Sequence, residues 1–211
     1  CSRLWISDNV IVLDAMPRLF EDVAEKDEPP FSTVRVSAQT SLRECMELLA
    51  AQGRTLPATG GVDEQQFGGL IGTNTAPATK EVTIYQAMKE VEYVTKDNAH
   101  NKATGEVLKA FIPNLGLLGI VTYITIGTVP NYGMKAIQRI RPVAELIPLM
   151  VEGKNFKSGE PEDGTGEDEK EYEFWRYDCI PQLTWHALDR PVQALVWAAR
   201  RIGDEEEYNP N

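Results

Sequence analysis

The chain has 211 residues, of which 42% are hydrophobic, and a formal charge of −11. That length can bury a real core in one domain or two small ones, while the acidic balance argues against a nucleic-acid or anionic-membrane binder. No apolar run approaches the ~18–20 residues needed to cross a bilayer, so no transmembrane segment is expected.

Cys1, Cys45 and Cys179 are far apart and odd in number. They show neither zinc spacing nor a disulfide framework, so no metal site and a reducing, intracellular setting are expected. The opening Cys1-Ser2-Arg3 has no Met and no signal-peptide pattern, as expected of a processed chain or a piece of a longer one. Val10–Leu13 reads as a short buried strand, with a turn near Pro17. Glu21 to Pro30 is charged, ends in two prolines and reads as a loop. Val34, Val36 and Ala38 alternate with Arg35 and Ser37, the pattern of a half-buried strand.

Ser41 opens a helix. Ser41-Leu42-Arg43-Glu44 has the form of a capping box, in which side chains satisfy free N–H groups of the first turn. Leu42, Cys45, Met46 and Leu49 make one apolar face, and Gly53 is the expected stop.

A glycine-rich stretch follows directly, LPATGGVDEQQFGGLIGTNTAPAT, residues 56–79. It reads as a loop in which glycines let backbone N–H groups converge on one anion, with Thr hydroxyls beside them. It is neither a G-x-G-x-x-G fingerprint nor a P-loop. Asp63 and Glu64 read as loop-shaping acids.

Val82–Met88 is ambiguous. Val91–Thr95 reads as a strand with Glu92 and Val94 opposed to Val91, Tyr93 and Thr95, and Lys96-Asp97-Asn98 as a turn. His100 reads as a solvent-facing turn residue. Ile120 to Val129 is the clearest strand, with Ile120, Ile124 and Ile126 on one face. After Pro142 a helical segment, VAELIPLM, is interrupted by Pro148. Glu152–Glu171 is acidic, poor in large apolar side chains and reads as a linker or lid rather than a calcium loop. Glu173–Tyr177 reads as a strand. Asp189-Arg190-Pro191 has the form of a helix start, and Arg200-Arg201 before Gly203 that of its end. His186 lacks a located partner for acid/base work, and Trp175, Trp185 and Trp197 read as packing residues.

The order of these blocks resembles a known family. VRVSA, TSLRECMELLAAQG and LPATGGVDEQQFGGLIGTNT, then VEYVTKD and NLGLLGIVTYIT, are similar to the FAD-binding (PCMH-type) domain of the vanillyl-alcohol oxidase flavoproteins. Within that group the sugar-1,4-lactone oxidases are most similar, and Asn9–Met16 resembles a further segment of theirs. The resemblance covers roughly residues 9–130. It implies an α+β fold divided into an incomplete FAD-binding subdomain at 1–147, an acidic flexible linker at 148–171 and a partial cap segment with a C-terminal helix at 172–211. It implies FAD held by Gly60, Gly61, Gly68, Gly69, Gly72, Thr73 and Thr75 around the pyrophosphate, with the Ile120-Val121 backbone near the adenine.

The pattern also departs from the family. Gln66 stands where the family has Thr, and Ala76-Pro77 where it has His-Gly, so one N–H is lost at Pro77. Asn74 stands where Gly is common, as the best non-glycine residue at positive φ. The family's upstream glycine-rich segment would lie before Cys1, on a missing segment or a partner chain. No catalytic residue is matched. Two functions are therefore expected from the sequence: an FAD-dependent oxidoreductase, or part of one, resembling lactone oxidases; or an inactive structural subunit of a larger assembly. A mitochondrial setting follows from the resemblance alone.

Overall fold

The structure, a computed structural model, describes residues 18–23, 32–75, 77–79, 83–152, 172–179 and 192–202. The strand expected at Val10–Leu13, the linker beyond Glu152, His186, Trp185 and the helix start at Asp189 lie outside these residues. In chain order the elements are β1 (Phe20–Val23), β2 (Thr33–Ser37), α1 (Leu42–Ala50), β3 (Arg54–Thr55), α2 (Phe67–Thr73), β4 (Met88–Val94) and β5 (His100–Ala103). They continue with α3 (Gly105–Lys109), β6 (Ile120–Gly127), β7 (Val129–Pro130), β8 (Met134–Pro142), α4 (Val143–Glu152), β9 (Phe174–Cys179) and β10 (Gln193–Arg201). The fold is α+β, and its sheets are antiparallel.

Two compact units share the chain. One comprises Cys1–Ala51, Val62–Thr75 and Ala87–Thr128; the other comprises Gln52–Gly61, Ala76–Gln86 and Val129–Asn211. Residue 147 lies within α4, in the second unit.

The first unit is built on a five-stranded sheet ordered β1-β2-β6-β4-β5. Side chains alternate across a strand, so register decides which residues meet. Val36 is opposite Ile124, which is opposite Val91, and Val34 is opposite Ile126; all five are fully buried. Leu42, Cys45 and Leu49 of α1 and Phe67, Leu70 and Ile71 of α2 are fully buried as well. Cys45 is thus a core thiol, as its helical position implied. The opposite sheet face is charged. Arg35 donates to Glu92 (2.6 Å) and Glu21 (2.8 Å), and its guanidinium lies 4.1 Å from the Tyr123 ring centre. The bond from Arg35 holds the Glu92 carboxyl below its usual range.

Local readings are adjusted at four places. Glu21–Val23 belongs to a strand, not a loop, because β1 pairs in register with β2; its exposed acids suit an edge strand. Thr33 and Ser37 of β2 are fully buried, so that strand is covered on both faces at its ends. The pairing of β4 with β6 shifts twice, at Lys89 between Met88 and Glu90 and opposite the step from Glu92 to Tyr93, where Thr122 of β6 is the extra residue. Tyr93 then packs against Phe111, ring centres 4.5 Å apart. The second shift passes over Thr122 of β6, so Ile120 pairs with Val94 instead of sharing the face of Ile124 and Ile126, and it is 49% exposed.

The second unit contains a three-stranded sheet ordered β8-β10-β9. Its central strand corrects the C-terminal helix expected from the sequence. QALVWAARR has helix-favouring composition, yet Ala194, Val196 and Ala198 alternate into a core with Ile137, Leu146 and Tyr172. Pairing on both sides overrides the local preference. Trp175 packs on the same cluster. The second correction is α4, which runs through Pro148 without interruption. Pro148 and Ala144, whose carbonyl loses its intrahelical donor, are both exposed, so the freed carbonyl is not buried in the core.

Gly119, just before the central strand β6, leaves the least room for a side chain among the described glycines of the first unit. Its φ is +140°, and a Cβ there would lie 2.6 Å from the Val94 carbonyl oxygen and 3.1 Å from the Tyr93 ring. Gly119→Ala is expected to lower unfolding free energy by about 2–4 kcal/mol in urea denaturation.

Candidate functional site

The glycine-rich stretch is placed by a reciprocal arrangement of two helix starts. The first N–H groups of any helix lack intrahelical partners. Those of α1 are met by the segment leading into α2: Leu42 N–H donates to the Gln65 carbonyl (3.0 Å) and Arg43 N–H to the Asp63 carbonyl (2.8 Å). Ser41 Oγ accepts from Glu44 N–H (3.1 Å), the serine half of the expected capping box. Those of α2 are met by the segment leading into α1: Phe67 N–H donates to the Thr40 carbonyl (3.1 Å) and Gly68 N–H to the Ala38 carbonyl (2.8 Å). Asp63 and Glu64 shape this turn, as expected, by pairing with Arg43 at 2.9 and 2.8 Å.

The expected irregular loop is therefore corrected over Phe67–Thr73, which is helical. Phe67, Leu70 and Ile71 fall on one helical stripe, and burying it carries the helix through three glycines. The expected convergence of N–H groups on an anion does not extend to the start of this helix, since two of those donors are already bonded within the chain. Gly68 has an internal reason to be glycine: a Cβ would sit 3.3 Å from the Ala38 oxygen.

Gly69 and Gly72 have no such reason. A Cβ at either would meet nothing within 4 Å, and neither needs positive φ. With Thr73 they line the face opposite the buried stripe. Thr73 Oγ1 donates to the Gly69 carbonyl (2.9 Å) and lies 3.3 Å from Thr75 Oγ1, which accepts from Gln65 Nε2 (2.8 Å). Asn74 ends the helix in the left-handed conformation, φ 52° and ψ 54°, the role anticipated for an asparagine there.

Ile120 and Val121 lie in the same unit, at the start of β6. Leu115 N–H donates to the Gly72 carbonyl (3.1 Å), so the turn before β6 is fastened to the end of α2. That turn forms one wall of a cleft of about 670 Å³; Val94–Asp97 form the other. Leu117, Leu118 and Ile120 are exposed there, at 83%, 41% and 49%. Gly60 and Gly61 fall in the second unit, and a Cβ on Gly61 would also meet open space. His100 begins β5 and is exposed, as a strand rather than a turn residue. Among the described residues, no three His, Cys, Asp or Glu side chains are grouped to hold a metal.

No family model matches the sequence. Curated proteins do match it. The chain is 25% identical over 150 residues to the D-arabinono-1,4-lactone oxidase of Candida glabrata, covering 66% of this chain and 27% of that protein. For the Saccharomyces cerevisiae oxidase of the same name the figures are 25% over 157 residues, 69% and 29%. For that of Eremothecium gossypii they are 28% over 141 residues, 63% and 26%. The chain is a distant homologue of the D-arabinono-1,4-lactone oxidases. It spans little more than a quarter of their length. Two structures of cholesterol oxidase from Brevibacterium sterolicum share its fold, each with a TM-score of 0.59 at 14% identity, covering 90% and 88% of this chain and 34% of the enzyme.

In this lactone-oxidase homologue, sequence reasoning named the glycines and hydroxyls but missed Gln65, which donates to Thr75, and Arg43, which pairs with Asp63 and Glu64. The signal was present in the capping box and the acids after Gly61, whose partner only the fold reveals. Glycine in a helix interior costs roughly 0.5–1 kcal/mol relative to alanine. Gly69→Ala and Gly72→Ala are each expected to raise unfolding free energy by about that amount in urea denaturation, whereas Gly68→Ala lowers it.

Proposed function

We propose that this chain supplies part of the FAD-binding site of an oxidoreductase acting on a sugar-1,4-lactone. The observation that carries the reading is the bare face of α2. A short helix keeps two glycines at positions where alanine would fit the backbone and the surrounding space. Selection for close approach of an outside group accounts for that, and a pyrophosphate is such a group. The distant homology to lactone oxidases points to the same cofactor.

In this reading Gly69 and Gly72 admit the pyrophosphate to the backbone, and the Thr73 and Thr75 hydroxyls border it. The Ile120-Val121 backbone and the cleft of Gly116–Ile120 and Val94–Asp97 take the adenine end. When bound, the flavin would accept a hydride from a substrate C–H next to oxygen and pass the electrons to an acceptor. The residues assigned here bind and orient; acid/base groups belong to other parts of the protein or to a partner chain.

A second reading is favoured by Ala76-Pro77. Pro77 has no N–H where the resembled family has glycine, which fits a subunit that kept the fold in a larger, mitochondrial assembly and lost the flavin. One titration separates the two. Full-length protein is expected to quench FAD fluorescence on binding, and Gly72→Leu to weaken that binding at least about tenfold, roughly 1.4 kcal/mol, while remaining folded by circular dichroism. A full-length protein that binds no FAD supports the structural subunit instead.

A further inference from the structure

The face that Gly69, Gly72 and Thr73 present is set by side chains that do not touch it. Arg43, on the first turn of α1, donates from Nε to Asp63 Oδ2 (2.9 Å) and from Nη2 to Asp63 Oδ1 (3.0 Å), a forked pair. Nη2 also donates to Glu64 Oε1 (2.8 Å), and the Arg43 main-chain N–H bonds the Asp63 carbonyl. One residue thus grips the turn by backbone and by side chain, and the guanidinium fork fixes direction as well as distance. The next residue, Gln65, accepts from Leu42 N–H and donates to Thr75 Oγ1. Thr75 adjoins Thr73, which bonds the Gly69 carbonyl. Short contacts therefore run without a gap from α1 to the bare face.

We propose that Arg43 is a positioning residue for ligand binding on α2, acting through Asp63, Glu64 and Gln65. The proposal rests on the reading of that face as a cofactor site. Arg43, Asp63 and Glu64 are about half exposed, with side-chain accessibilities of 53%, 41% and 65%. Exposed pairs of this kind add little to global stability, so their effect is local and separable from folding. Arg18 provides the comparison. It pairs at 2.7 Å with Glu44 on the same helix but does not contact residues 62–75 through that bond.

The experiment uses full-length protein with Arg43→Gln, Arg18→Gln and the charge-exchanged pair Arg43→Asp with Asp63→Arg. Amide hydrogen exchange is read over residues 65–75 without ligand, and FAD affinity by fluorescence quenching. Arg43→Gln is expected to speed exchange in 65–75 and weaken FAD about tenfold with the melting temperature nearly unchanged. Arg18→Gln is expected to do neither, and the exchanged pair to recover part of both. Wild-type exchange and affinity in Arg43→Gln overturn the proposal, as does an equal effect of Arg18→Gln. If wild-type protein binds no FAD while Arg43→Gln still loosens 65–75, the cofactor reading fails and the positioning contact stands.

Discussion

The first unit depends on two helix starts that satisfy each other. The N–H groups of α1 are bonded by carbonyls of Asp63 and Gln65, and those of α2 by carbonyls of Ala38 and Thr40. Neither helix is long, and short helices gain their stability from context rather than from propensity. Here the context is mutual, so losing one start leaves the other with unpaired donors. The Ala38 N–H in turn bonds the Thr122 carbonyl at 2.8 Å, which fastens the pair to the central strand β6. Backbone hydrogen bonds therefore link α1, α2 and the middle of the sheet.

That constraint explains how a glycine-rich helix persists. Phe67, Leu70 and Ile71 hold one side in the core, and the cap holds the beginning, so the outer side is released from any structural duty. Gly69 and Gly72 lie there, contrary to helix preference. A local rule broken without an internal compensation is what a functional surface looks like in a folded chain. Gly68 shows the contrast within the same short helix, because a Cβ there would crowd Ala38. The paired glycines of this stretch differ in their surroundings: a Cβ at Gly68 meets Ala38, and a Cβ at Gly69 meets open space.

Much of this was legible in the sequence. Ser41 as a cap, Asn74 at positive φ, the alternation of Val34 and Val36 and the role of Asp63 and Glu64 follow from residue type and spacing. What stayed hidden depends on partners distant in the chain. Gly68 and Gly69 are identical letters whose surroundings differ only once Ala38 is placed. Glu21–Val23 is a strand because β2 lies beside it. Ala194, Val196 and Ala198 are two apart and equally consistent with a helix until β8 and β9 flank them. The bare face itself was visible only as glycine count, and its orientation required the fold.

The most direct measurement is a titration of FAD into full-length protein labelled with ¹⁵N-glycine, followed by nuclear magnetic resonance. The account predicts that the Gly69 and Gly72 resonances move or broaden in saturable fashion, with Gly119 following at the cleft. Gly105, on α3 and equally open to solvent, stays fixed. Saturable shifts elsewhere with Gly69 and Gly72 unmoved would contradict it, and so would no shift at all.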